Sequence, residues 1–122
     1  MESIQRDSEE KRRAILTILN EVDGRPIRAK RVRVIASENG NAMLWRNFVS
    51  HLRYLSDLQL LIVFQAGRRE PLSPVDRKEY LDLVSQMQFD DPECDAVLVR
   101  IRKLGVQFLE GNAAGIVGVA RN

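Results

Sequence analysis

One cysteine, one histidine and one tryptophan occur in 122 residues, and no apolar stretch reaches the roughly 18 residues needed to cross a bilayer. A lone Cys94 excludes an intrachain disulfide and fits a reducing compartment. With His51 the only imidazole, the His/Cys clusters of a zinc or metal-sensing site are missing. The acidic run Asp90, Asp91, Glu93 and Asp95 reads as a solvated loop. The sequence has no Gly-rich phosphate loop, no nucleophile set by a histidine motif and no carboxylate pair at a fixed spacing. It therefore offers nothing for catalysis and implies neither cofactor nor metal. The start Met1-Glu2-Ser3-Ile4-Gln5-Arg6 lacks the apolar centre of a signal peptide, so a cytoplasmic protein without a membrane partner is expected.

What is present is ordinary in amount and uneven in place. Hydrophobic residues make up 44% and charged residues 30%, values of a globular chain whose length suits one core. A single domain over 1–122 is expected, with its core at 8–111, an insertion at 65–95 and a loose tail at 112–122. The net charge is only +2. Between Arg25 and Arg69, however, nine basic residues face two acids, a local balance of +7. From Glu70 to Asp95 eight acids face two basic residues, or −6. A basic half of this kind attracts polyanions, and the acidic half is expected to sit away from it.

Hydrophobic periodicity gives the elements. Ser8 reads as the cap of a first helix whose Ile15, Leu16, Ile18, Leu19 and Val22 make one stripe, with Asp23-Gly24 as its stop. A short cationic helix over 28–38 buries Val32, Ile35 and Ala36. Asn39-Gly40 then supplies a left-handed turn, and Asn41 reads as the cap of a third helix over 42–57. That helix has Leu44, Phe48, Val49, Leu52 and Leu55 as its inner face; Trp45 and Tyr54, at the border, read as core closure. Leu60-Leu61-Ile62-Val63-Phe64 is a strand. Ser73-Pro74 with Asp76 opens a fourth helix over 74–88. A second strand covers 96–101 and a short closing helix 103–110.

Three helices, two strands and a closing helix are the arrangement of a winged helix-turn-helix: mainly α, with a small antiparallel β wing and here a helical insertion between the wing strands. The pattern Leu52-Arg53-Tyr54-Leu55 with Leu60-Leu61-Ile62-Val63, and later Val97-Leu98-Val99-Arg100-Ile101 running through Gly105 to Gly111, resembles the recognition helix, wing and closing helix of ArsR-like and MarR-like regulators. From about Arg12 to the Gly118-Val119-Ala120-Arg121 tail, the chain is particularly similar to a family of small winged-helix proteins of Mu-like bacteriophages and prophages. The resemblance implies a small transcriptional regulator that binds double-stranded DNA. The chain departs from the pattern at 65–95, where a wing normally needs only a few residues.

On this reading the third helix is the recognition helix. Arg46 and Asn47 would reach base edges, because guanidinium and carboxamide match guanine and adenine in bidentate fashion. Ser50 and Arg53 would lie nearer the backbone, and Asn41 joins the DNA-facing set at the turn. Arg28, Lys30, Arg31 and Arg33, with Arg68 and Arg69 past the first strand, would hold phosphates. The insertion helix, through Tyr80, Leu81, Val84 and Met87, is the expected homodimer surface. The competing expectation is a non-enzymatic interaction or assembly factor of phage development, with the acidic insertion as its working surface.

Overall fold

The computed structural model describes residues 2–22, 24–111, 115–116 and 118–120. It is mainly helical with one small antiparallel sheet: α1 (Glu2–Glu21), β1 (Ile27–Arg28), α2 (Ala29–Glu38), α3 (Trp45–Asp57), β2 (Leu61–Gln65), α4 (Pro74–Ser85), a 3-10 turn (Pro92–Ala96), β3 (Val97–Ile101) and α5 (Lys103–Leu109). The sheet order is β1-β3-β2, with Ile27 opposite Val99 and Leu61 opposite Ile101. No helix among the described residues is long and apolar enough to cross a membrane.

Helix ends follow backbone chemistry more than side-chain caps. α2 closes with Gly40 in the left-handed region, its N–H bonded to the Ser37 carbonyl and that of Asn41 to Ala36. α3 ends the same way, but a non-glycine, Gln59, takes the left-handed place at φ 61°, with Leu60 N–H bonded to the Leu55 carbonyl. Only α4 among these three starts as its sequence suggests, with Ser73 Oγ accepting from Asp76 N–H and Pro74 at the first position.

Several boundaries differ from expectation. α1 begins at Glu2, well before Ser8. The strand Ile27–Arg28 was not expected, because two residues carry no periodicity; it exists only through pairing with β3. α3 starts at Trp45, not at 42, and Asn41 does not cap it. The cap position belongs to Leu44, which makes no side-chain bond and is 65% exposed rather than part of the inner face. α4 ends at Ser85 instead of 88.

One apolar cluster joins every layer. Ile15, Leu16 and Leu19 of α1, Val32 of α2, Phe48, Leu52 and Leu55 of α3, and Val63, Val97 and Val99 of the sheet are essentially inaccessible. Each fully buried side chain of this size contributes about 1.5–3 kcal/mol. Leu72, Tyr80, Leu81, Val84 and Cys94 of the segment between β2 and β3 belong to the same cluster. The expected dimer surface is therefore corrected: Tyr80, Leu81 and Val84 are buried within the chain and Met87 is half-buried. Their apolar face is satisfied by α3, leaving Val75 and Leu83 exposed on the opposite side.

The tail also differs from a loose end where it is described. Val119 is 4% exposed, Ala120 N–H bonds to the Glu9 carbonyl, and Arg12 and Arg13 donate to the carbonyls of Gly118 and Ala120. Residues 1, 112–114, 117, 121 and 122, together with Asp23 of the expected stop Asp23-Gly24, lie outside the described residues.

Candidate nucleic-acid interface

α3 turns Trp45, Phe48, Val49, Leu52 and Leu55 inward at three- and four-residue spacing. The helical period then leaves Arg46, Asn47 and Ser50 together on the outside, all exposed. These are the residues assigned to base contact and its neighbour. The strip is narrow because helices pack on both flanks. On one side α4 docks by a Trp45 Nε1–H bond to the Val84 carbonyl (2.9 Å) and by the pairs Arg53–Asp82 and Arg77–Asp57, each 2.8 Å. A cleft of about 180 Å³ lined by Arg46, Ser50, Arg53 and Asp82 runs between the two helices. On the other side a cleft of about 570 Å³ separates the strip from Lys11 and Arg12 of α1.

The cations assigned to phosphate divide into two groups. Arg28 and Arg31 are exposed, as are Arg68 and Arg69 in the turn leaving β2. None of the four forms an ion pair among the described residues. Glu70 and Asp76 line the same cleft as Arg68 and Arg69 and lower the positive potential there. The other group is engaged within the chain. Lys30 pairs with Asp95 at 3.1 Å, and Arg33 Nε donates to the Met43 carbonyl at 2.9 Å. Both cations sit over the Phe89 ring, 4.9 and 4.7 Å from its centre, and Phe89 in turn meets Trp45 edge-on. Asn41 is half-buried and uses its backbone to close α2.

The acidic segment does not sit away from the basic one. It is folded against it, because the apolar side of α4 needs α3 and opposite charges then meet. Asp82, Asp95 and Phe89 are the residues that sequence reasoning missed. For the two aspartates the signal is the sign reversal itself, since +7 beside −6 in one short chain favours internal pairing; Phe89 carries no such signal.

His51 belongs to a structural knot. Its ring is 8% exposed, Arg12 Nε donates to Nδ1 at 3.1 Å, and the Arg12 guanidinium lies 3.8 Å from the Tyr54 ring centre. Burial, then the nearby charges of Arg12 and Lys11, push its pKa down to about 4 against a smaller opposing effect of Asp7. The imidazole is neutral near pH 7, accepting at Nδ1 and so protonated at Nε2. Cys94 is buried with Sγ–H directed at the Gln88 carbonyl (3.5 Å), and burial raises its pKa, which keeps it a thiol. Among the described residues no group of three or more His, Cys, Asp or Glu is placed to hold a metal ion.

No family model, curated protein or solved structure matches the chain.

Proposed function

We propose that this protein binds double-stranded DNA as a winged-helix regulator of transcription, with α3 as the recognition helix. The observation that carries the reading is the exposed Arg46-Asn47-Ser50 strip on a helix that follows α2 after the six-residue connection 39–44 and leads into a strand of an antiparallel pair. The antiparallel pairing of Leu61–Gln65 with Val97–Ile101 supports it, since these are the two segments expected to form the wing. The flanking helices restrict base contact to the first half of α3. Arg46 and Asn47 read bases, while Arg28, Arg31, Arg68 and Arg69 hold phosphates and fix register.

These four phosphate contacts alone imply a log–log salt slope for random duplex of at least about 3 to 4 in magnitude, because each contact releases about 0.9 counterion. Fluorescence anisotropy across a salt series measures it. Replacing Arg28 and Arg31 by Ala should reduce the slope by roughly 2. Arg33 is left out of that variant, since its bond to Met43 and its place over Phe89 hold the turn together. Replacing Arg46 and Asn47 by Ala should remove discrimination between sites and spare most random-duplex affinity. Absence of duplex binding even at low salt would contradict the reading. It would favour the interaction-protein alternative, for which Val75 and Leu83, 68% and 56% exposed on α4, are the surface to test.

A further inference from the structure

The segment between β2 and β3 brings carboxylates onto two cations of the basic face. Asp82 Oδ1 lies 2.8 Å from Arg53, and Asp95 Oδ1 lies 3.1 Å from Lys30. Arg53 is next along the outer face of α3 after Arg46 and Ser50, and Lys30 is in the first turn of the cationic α2. A carboxylate oxygen at that distance from a guanidinium or ammonium occupies the place of a phosphate oxygen. We infer that Asp82 and Asp95 act as built-in phosphate surrogates, which hold Arg53 and Lys30 in contact geometry and lower the affinity for duplex until the polyanion displaces them. This rests on the DNA-binding reading above.

Energetics decide how the release happens. α4 is anchored by Leu81 and Val84, at most 1% exposed, and by the Trp45 bond to Val84. Taking those side chains out of the core costs far more than breaking an exposed ion pair. The ion pairs are half-exposed at the carboxylate, 49% for Asp82 and 51% for Asp95, with Arg53 39% and Lys30 17% exposed, and pairs that water reaches in this way are weak. Asp82 therefore turns aside while α4 stays docked, and Asp95 does so while the fully buried Cys94 and Val97 hold its 3-10 turn. No lid moves; the exchange is one anion for another at fixed cations. Its physical consequence is a weaker affinity for duplex than the same cations would give without the two carboxylates.

The test compares three full-length proteins on one random 20-base-pair duplex across a salt series: wild type, Asp82→Asn with Asp95→Asn, and Asp90→Asn with Glu93→Gln. The last pair changes net charge equally, but neither of its acids forms an ion pair with the basic set. The surrogate mechanism expects the first variant to bind about tenfold tighter near 50 mM salt with its slope unchanged to within about 1, because the wild-type complex makes the same phosphate contacts once the carboxylates are displaced. The control should gain no more than about threefold, with its slope unchanged. Equal gains in both variants, or a slope steeper by about 2 in the first, would overturn the inference while leaving DNA binding in place. No binding by any of the three would overturn the DNA-binding reading and the inference with it. Unchanged far-UV circular dichroism and thermal midpoints within a few degrees show that the variants fold.

Discussion

Lowering the pH from 7 to 5 should destabilise the protein by about 2 kcal/mol through His51 alone. In the folded chain its ring is buried against Arg12 and titrates at about 4, whereas an unfolded chain offers an ordinary imidazole near 6.5. The unfolded state therefore binds the proton more readily. This contribution to stability is complete above pH 6.5, falls as the pH drops toward 4, and reaches a loss of about 3 kcal/mol below that. At 8% exposure the ring is little screened by water, so the conversion to free energy applies. Urea unfolding followed by the fluorescence of Trp45, the only tryptophan, at pH 7, 6 and 5 gives the wild-type dependence. His51→Asn provides the reference, because its carboxamide oxygen can still accept from Arg12 and does not titrate. The difference between the two curves should appear between pH 6.5 and 5, largely above the range in which carboxylates protonate. The imidazole proton resonances, which a single histidine makes unambiguous, should titrate near 4 in the folded protein. A folded midpoint near 6.5, or parallel pH dependences for wild type and His51→Asn, would refute the reasoning.

Three further predictions concern the scaffold. Gly105→Ala should cost about 1–3 kcal/mol in urea unfolding, since a Cβ there meets the Leu60 carbonyl and the Ile101 side chain, and backbone at Leu60 cannot swing away. Gln59→Gly should instead stabilise, by up to about 1 kcal/mol, by relieving the left-handed backbone at the end of α3; a lowered denaturation midpoint would contradict it. Leu81→Ala should cost about 2–5 kcal/mol and shift Trp45 emission to the red as α4 loosens from α3, whereas an effect near zero would show that α4 is not part of the core.

Much of this fold is legible because long periodic stripes survive any tertiary context. Ile15, Leu16 and Leu19, then Phe48, Leu52 and Leu55, give their helices and buried faces directly, and Ser73-Pro74 marks its helix start through local chemistry. The strand Ile27–Arg28 is invisible because its cause lies seventy residues away, in the backbone of Leu98 and Val99. Leu44 misleads for a related reason: its spacing fits the α3 stripe, but the helix begins one residue later and leaves it 65% exposed. In the candidate interface, Arg46, Asn47 and Ser50 emerge where the helical period puts them. Lys30, Arg33 and Arg53 look equally free in the sequence, and only the path of the chain after β2 brings Asp95, Phe89 and Asp82 to them. The apolar residues of α4 were open to two readings, inward packing or a second copy of the chain. Burial by α3 favours the first.

The most direct test of the account is a chemical-shift titration of the isotope-labelled protein with a short random duplex at low salt. The account predicts that amide and guanidinium perturbations concentrate at Arg28, Arg31, Arg46, Asn47, Ser50, Arg68 and Arg69, and weaken together as salt is added. Perturbations confined to Val75, Leu83 and the outer side of α4, or none at all, would contradict it.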